Sequence, residues 1–220
     1  MISVLLRTRN EAEHIGYCLQ SINDVLGRDT EVLIANNNST DDTLGIIQLF
    51  DWMDIEVFKI DSYTPGKSLN YLLSKSTNKI LLVLSAHCKL LPAKDLVESV
   101  EYDLTVQEYG LGPYAAIFGK QIPIYKGKRI TPRYIWSHFK NESVVNMYSS
   151  IEDRHFLHNA YCFYNRDYLL KYPFDESLSG KEDRYWAQDV VKRKHEFLYN
   201  PDLQVEHYYT KNGATWKGIG

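Results

Sequence analysis

Short apolar runs that stop abruptly at polar residues alternate with stretches of helical spacing through the first half of the chain. Ile2 to Leu6, Glu31 to Ala35 and Ile80 to Leu84 are runs of this kind, and Ile55 to Ile60 reads as a further strand. Such runs suit strands buried on both faces of a parallel sheet. Between the first two, Ile15, Cys18, Leu19, Ile22 and Leu26 recur at helical spacing and lay one stripe against the sheet. Asn10, with Glu13 three residues on, reads as a capping box for that helix. Thr43 to Phe50 reads as a helix begun by Ser39 or Asp41, and Lys67 to Ser76 as one with Leu69, Leu72 and Leu73 inward. After Pro92, Leu96, Val97, Val100 and Leu104 make another helix, and Ala115 to Gly119 a further strand. The βαβα series predicts an α/β fold, a mostly parallel sheet with helices on both faces.

The pattern weakens from Lys120 to Ser150, where Pro123, Gly127 and Pro132 are mixed with Lys126, Lys128, Arg129 and Arg133. That stretch reads as a long basic loop, either functional or simply solvated. Regularity returns with a strand from His158 to Tyr164, a helix within Lys181 to Lys194, and a strand from Leu203 to Tyr208. There is no internal repeat and no low-complexity segment.

Two polar segments change the picture from fold to function. Arg7-Thr8-Arg9-Asn10-Glu11 follows the first strand and Asn36-Asn37-Asn38-Ser39-Thr40-Asp41-Asp42 follows the second. Open α/β sheets bind ligands at the carboxyl ends of their strands, so the pair suggests a nucleotide pocket. The first of these loops contains no glycine, unlike the turn with which dinucleotide-binding folds approach a pyrophosphate, so a dehydrogenase is not expected.

Composition narrows the choice. With 220 residues, 44% hydrophobic and 24% charged, the chain suits one soluble globular domain, and its net charge of -3 supplies no field to gather nucleic acid. Ile80 to Leu84 is too short to span a bilayer, and no signal-like segment opens the chain, which suggests a cytoplasmic location. The basic residues from Lys126 to Arg133 leave peripheral association with a membrane surface open. Cys18, Cys88 and Cys162 have neither the number nor the spacing of a disulfide framework or a Cys-x-x-Cys zinc site. Most of the 17 tyrosines read as half-buried packing, though some could line a sugar cleft.

Three further places could carry chemistry. His87, in Ser85-Ala86-His87-Cys88 after the most apolar strand, could ligate a divalent metal, hold a phosphate, or serve only as a loop residue. Glu182-Asp183, after Gly180-Lys181, could cap a helix or supply a general base at a cleft edge. His207, in Val205-Glu206-His207, could be a second metal or phosphate ligand or an exposed edge residue.

Taken in order, these pieces resemble the family 2 glycosyltransferases, inverting enzymes of the GT-A (Rossmann-like) fold. The matching segments are Arg7 to Glu11, Asn37 with Ser39-Thr40-Asp41, Pro65-Gly66-Lys67-Ser68-Leu69-Asn70, Leu84-Ser85-Ala86-His87, Asn159-Ala160, Phe174-Asp175-Glu176, Glu182-Asp183 and His207. Each is short; their joint order is specific and covers nearly the whole chain. The resemblance implies one GT-A domain over residues 1–220, with a nucleotide-sugar-binding half at 1–119 and an acceptor-binding, catalytic half at 120–220. It implies a nucleotide-diphosphate sugar donor and a glycan or lipid-linked acceptor, as in bacterial polysaccharide biosynthesis. The transferred group would be a hexosyl or deoxyhexosyl unit. By the same resemblance Asp183 is the base and Glu182 supports it; Thr8, Arg9, Asn10, Glu11, Asn36, Asn38, Lys67, Ser85 and His87 hold the donor. Asn159 and Trp186 face the acceptor.

The chain departs from the family pattern twice. Asn36 stands where an acidic residue is common, and Ser85-Ala86-His87 stands where the family carries Asp-x-Asp. Loss of both carboxylates removes the usual hard oxygen ligands for magnesium or manganese. Metal use would then run through His87 and His207, and imidazole suits Mn2+ better than Mg2+. Two rivals remain: a sugar nucleotidyltransferase, disfavoured by the glycine-free first loop, and a catalytically degenerate nucleotide-sugar-binding domain, disfavoured by the retained Glu182-Asp183.

Overall fold

The computed structural model describes residues 1–106, 113–131, 135–211, 213 and 216. The first half follows the predicted alternation: β1 (Ile2–Thr8), α1 (Ile15–Leu26), β2 (Glu31–Asn36), α2 (Thr43–Gln48), β3 (Ile55–Lys59), α3 (Pro65–Lys75), β4 (Ile80–Ser85), β5 (Cys88–Leu90) and α4 (Leu96–Thr105). The second half comprises β6 (Ala116–Tyr125), β7 (Lys128–Arg129), a 3-10 turn (Ile135–His138), β8 (Val144–Val145), β9 (Tyr148–Ser149), β10 (Arg154–His155), β11 (Tyr161–Asn165), α5 (Arg166–Lys171), α6 (Glu182–Lys192) and β12 (Phe197–Tyr208).

Among the described residues a ten-stranded sheet runs in the order β3-β2-β1-β4-β11-β6-β12-β5, with β7 and β8 attached at its side. β3, β2, β1 and β4 are mutually parallel, β11 is antiparallel to both β4 and β6, and β12 returns parallel to β6. Successive residues of the inner strands enter opposite cores. Val4 and Leu6 pack with Ile15, Leu19 and Ile22 of α1, whereas Leu5 packs with Leu69, Leu72 and Leu73 of α3 and with Val190 of α6. Burial on both faces is the physical reason these strands read as unbroken apolar runs.

Four local expectations are corrected. The supposed capping box does not form: α1 starts after His14, Asn10 is left-handed at φ 56°, and its carboxamide oxygen accepts from the Thr40 N–H at 2.7 Å. The residues 120–125 continue β6, and Lys126-Gly127 turns into the β7 hairpin. This part of the expected loop is therefore strand, because Lys120 to Ile124 pair in parallel register with Gln204 to Tyr208 of β12. Pro132 and Arg133 lie outside the described residues. The strand expected from His158 begins at Tyr161, and α5 was not foreseen because six residues are too few to show a helical period. Finally, β12 starts at Phe197 instead of Leu203, and a register shift between Asn200 and Gln204 breaks its alternation.

Gly119 sits beside that irregularity under close contact. A Cβ there would lie 2.4 Å from the Tyr161 ring and 2.5 Å from the Leu203 carbonyl oxygen. Among the described residues no helix is long and apolar enough to cross a membrane.

Candidate active site

The two polar loops after β1 and β2 do form one unit, but much of their hydrogen bonding is spent on each other. The N–H groups of Asn10, Glu11 and Ala12 donate to Ser39 Oγ at 3.0 Å, Thr43 Oγ1 at 2.8 Å and Asp41 Oδ2 at 3.0 Å. Asp41 also accepts from the Thr43 N–H, the first of α2, at 3.1 Å. Asn36 is buried; its Oδ1 accepts from Thr8 Oγ1, the Ser39 hydroxyl and the Ser39 N–H at 3.3, 2.7 and 3.4 Å. It staples the loops and does not line the cleft beside them.

That cleft has a volume of about 860 Å³ and opens at the carboxyl edge of β1 and β4. Its first wall is Arg7 to Glu11 with Asn37, and its second is Ser85, Ala86 and His87. The third comprises His158, Asn159 and the stretch from Ser179 to Arg184. Pro65 and Tyr63 flank it at the start of α3.

A clamp around α3 delivers the third wall. The Thr64 hydroxyl donates to the Glu176 carbonyl at 2.8 Å. The Asn70 carboxamide donates to the Phe174 carbonyl at 2.8 Å and accepts the Phe174 N–H at 3.1 Å. Gly66 leaves room for the Asp175 carbonyl oxygen, which a Cβ would approach to 2.5 Å. The Pro-Gly-Lys-Ser-Leu-Asn and Phe-Asp-Glu segments are thus two halves of one structural joint.

At the head of α6, Glu182 and Asp183 are buried with their carboxylates in the cleft wall. Glu182 Oε1 accepts from Arg7 Nη1 and Asn159 Nδ2, both at 3.2 Å. Burial pushes the Glu182 carboxyl above its usual range and the Asp183 charge adds to this, while Arg7 and the Asn159 amide oppose it. Asp183 Oδ2 accepts from the Asn159 N–H at 3.0 Å and Arg184 Nη1 at 2.6 Å, and Oδ1 accepts from the Arg184 N–H at 2.9 Å. A carboxylate offers about four lone-pair sites, so Asp183 keeps capacity for an incoming hydroxyl.

His87 and His207 come together, their ring centroids 5.0 Å apart. His87 Nδ1 lies 3.1 Å from Glu11 Oε1, which leaves Nε2 free. His207 is fully buried on β12, pairs through Nδ1 with Gln121 Oε1 at 2.8 Å, and leaves Nε2 unpartnered. Burial, with the nearby His87 and His158, holds the His207 imidazole well below its ordinary range, and burial does the same to His158. The neutral His207 imidazole with its orphaned buried nitrogen, and the His87 ring backed by the Glu11 carboxylate, form a donor set that fits a divalent cation with nitrogen affinity. Among the described residues no group of three or more His, Cys, Asp or Glu is placed to hold a metal, so such an ion would need further ligands from elsewhere.

Several expected site residues lie elsewhere. Trp186 is 5% exposed, donates from Nε1 to the Tyr172 carbonyl at 2.7 Å, and packs against Tyr164, Tyr168 and Phe174. It is core beneath α6 and is not free to stack on a sugar in the cleft. Lys67 is exposed, with Nζ on Ser62 Oγ, and Asn38 is exposed as well; neither lines the cleft. Conversely, the reading of residue types overlooked Glu152, Arg184, His158 and Gln121. Glu152 is buried in the cleft wall, with Oε2 3.3 Å from Lys181 Nζ and 3.8 Å from Arg184 Nε. Arg184 also lies over the Phe156 ring at 4.5 Å. Glu152 and His158 sit in irregular segments, where periodicity carries no signal, whereas Gln121 on β6 and Arg184 on α6 are polar residues whose burial no local pattern records.

The sequence profile described as "Glycosyl transferase family 2" matches residues 3–172. The chain belongs to that family. The profile ends before Glu182, Asp183 and His207, whose placement comes from the fold. Among curated proteins none matches by sequence. Similar solved structures include S. aureus TarS 1-349 in complex with UDP-GlcNAc, at 17% identity and TM-score 0.72, covering 100% of this chain and 61% of that one. A second is the mannosyltransferase PcManGT from Pyrobaculum calidifontis in complex with GDP-Man and Mn2+, at 18% identity and TM-score 0.71, covering 96% and 58%. GalNAc-T7 with UDP, GalNAc and Mn2+ follows at 16% identity and TM-score 0.68, covering 97% and 44%. The fold is that of GT-A glycosyltransferases, and the chain spans less than two thirds of these proteins' length.

Proposed function

We propose that this family 2 chain transfers a hexosyl or deoxyhexosyl unit, with inversion, from a nucleotide-diphosphate sugar to a hydroxyl of a glycan or lipid-linked acceptor. The setting would be bacterial polysaccharide synthesis. One observation carries the reading: Glu182 and Asp183 share a single cleft with the Arg7–Glu11 turn and with His87. An inverting displacement needs a base on one side of the anomeric carbon and charge stabilisation on the other, and this cleft supplies candidates for both.

Asp183 takes the proton of the acceptor hydroxyl through the lone pair its three hydrogen bonds leave over. Asn159 and Arg184 fix its carboxylate, and Glu182, tied to Arg7, holds the head of α6 to β1. The turn from Thr8 to Glu11, with Asn37, faces the nucleoside. His87 and His207 would hold a divalent cation, Mn2+ in preference to Mg2+, which when bound neutralises charge on the departing diphosphate. The cation and donor of PcManGT and the donor of TarS motivate this assignment.

The test is a thermal-shift panel of UDP, GDP, CDP and TDP with and without Mn2+, followed by transfer assays with the matching nucleotide sugars. A nucleotide at 100 times its Kd adds about 2.7 kcal/mol, or roughly 5–10 °C for a chain of this size. Asp183→Asn should keep that shift and lose about 10²–10⁴-fold in transfer. No shift with any nucleotide overturns the reading. Near-normal turnover in Asp183→Asn removes it from the base role.

A further inference from the structure

Gln121 is a polar residue, 2% exposed, on a strand buried between β11 and β12, and packing does not explain it. It stands opposite Val205 in the β6–β12 ladder, so His207, two residues on, shares its face. The hydrogen bonds around it assign every proton in order, starting from a backbone group that cannot exchange roles. The Ala160 N–H points at His158 Nδ1 from 3.2 Å, which makes that nitrogen an acceptor and places the ring hydrogen on Nε2. Gln121 approaches the same nitrogen at 3.0 Å and must therefore present its amide N–H there. Its carbonyl oxygen is thereby turned to His207 Nδ1, 2.8 Å away, and a carbonyl only accepts. His207 then carries its hydrogen on Nδ1, and its lone pair lies on Nε2, the unpartnered buried atom of a ring whose centroid is 5.0 Å from that of His87.

We propose that Gln121 is a positioning residue that fixes His207 in its Nδ1-protonated tautomer and so keeps the Nε2 lone pair available to a divalent cation, with His158 orienting the amide from behind. The proposal rests on the reading of His87 and His207 as the cation site. Glu11 treats His87 in the same way through its own Nδ1. The two rings are thus prepared from opposite sides, one by a carboxylate and one by an amide. Partners of this kind set the tautomer and ring orientation of metal-binding histidines.

The test uses the full chain without nucleotide. Two-bond proton–nitrogen correlation spectra of 15N-histidine-labelled protein, free of metal, report the tautomer of each ring, with His207 assigned by its loss in His207→Gln. Mn2+ alone is then titrated by calorimetry. Wild type should show a protonated Nδ1 in His207 and a protonated Nε2 in His158. Gln121→Met should release His207 from that single tautomer and weaken Mn2+ binding about 10- to 100-fold. Gln121→Glu keeps an oxygen toward His207 and loses the donor to His158. It should preserve the His207 tautomer and Mn2+ binding while altering the His158 signals, and it carries the test if the methionine variant fails to fold. A wild-type His207 protonated on Nε2, Gln121→Met with unchanged tautomer and affinity, Gln121→Glu that frees His207, or wild type that binds no Mn2+ would each overturn the proposal. The transferase reading is judged separately, by the nucleotide panel and Asp183→Asn.

Discussion

Gly119→Ala tests the joint between β6, β11 and β12 on which the histidine pair depends. The added Cβ would sit 2.4 Å from Tyr161 Cδ1, 2.5 Å from Tyr161 Cε1 and 2.5 Å from the Leu203 carbonyl oxygen. Ordinary contacts are near 3.5–4.0 Å, so more than an ångström must be regained. Neither wall yields easily: Tyr161 is fully buried, and the other atom is backbone beside the β12 register shift. Overpacking of this kind costs about 1–3 kcal/mol, and the rigid walls place it near the upper end. Removing a strand glycine returns up to about 1 kcal/mol of backbone entropy. The net expectation is a loss of about 2 kcal/mol, or roughly 4–8 °C in Tm. Urea unfolding followed by tryptophan fluorescence and far-ultraviolet dichroism measures it. Gly180→Ala is the control, because a Cβ there meets nothing within 4 Å, and it should stay within about 0.5 kcal/mol. A Gly119→Ala protein as stable as that control would refute the packing argument.

Trp186→Phe should cost about 2 kcal/mol through lost volume and the stranded Tyr172 carbonyl, while nucleotide Kd stays within twofold; a binding loss without a stability loss would contradict its place in the core. The raised Glu182 carboxyl makes a pH prediction. Its contribution to stability is fully present below the unfolded value of about 4.3 and is lost as pH rises through the higher folded value. As pH rises from about 4.3 through the raised folded value, wild type should therefore lose stability relative to Glu182→Gln; parallel stability-versus-pH curves would rule this out.

The sequence by itself determined the α/β layout of the first half and the parallel direction of its strands. β1, β2 and β4 are buried on both faces and their helices on one, and each condition writes a distinct period into neighbouring residues. It also marked the carboxyl edge of β1, β2 and β4 as the site, because polar groups following buried strands have few places to go. Tertiary structure decided which of those groups remain available. Asn36 and Asn10 look like ligand contacts in the chain, yet their carboxamide oxygens accept from Thr8 and Thr40, partners 28 and 30 residues away. Trp186 follows Glu182 by one turn on the same face of α6, but that turn sets it farther along the helix axis, where Tyr164, Tyr168 and Phe174 pack around it. Gln121, His158 and His207 meet only because β6, β11 and β12 are adjacent in the sheet, and strand order is set by long-range pairing that no local pattern records.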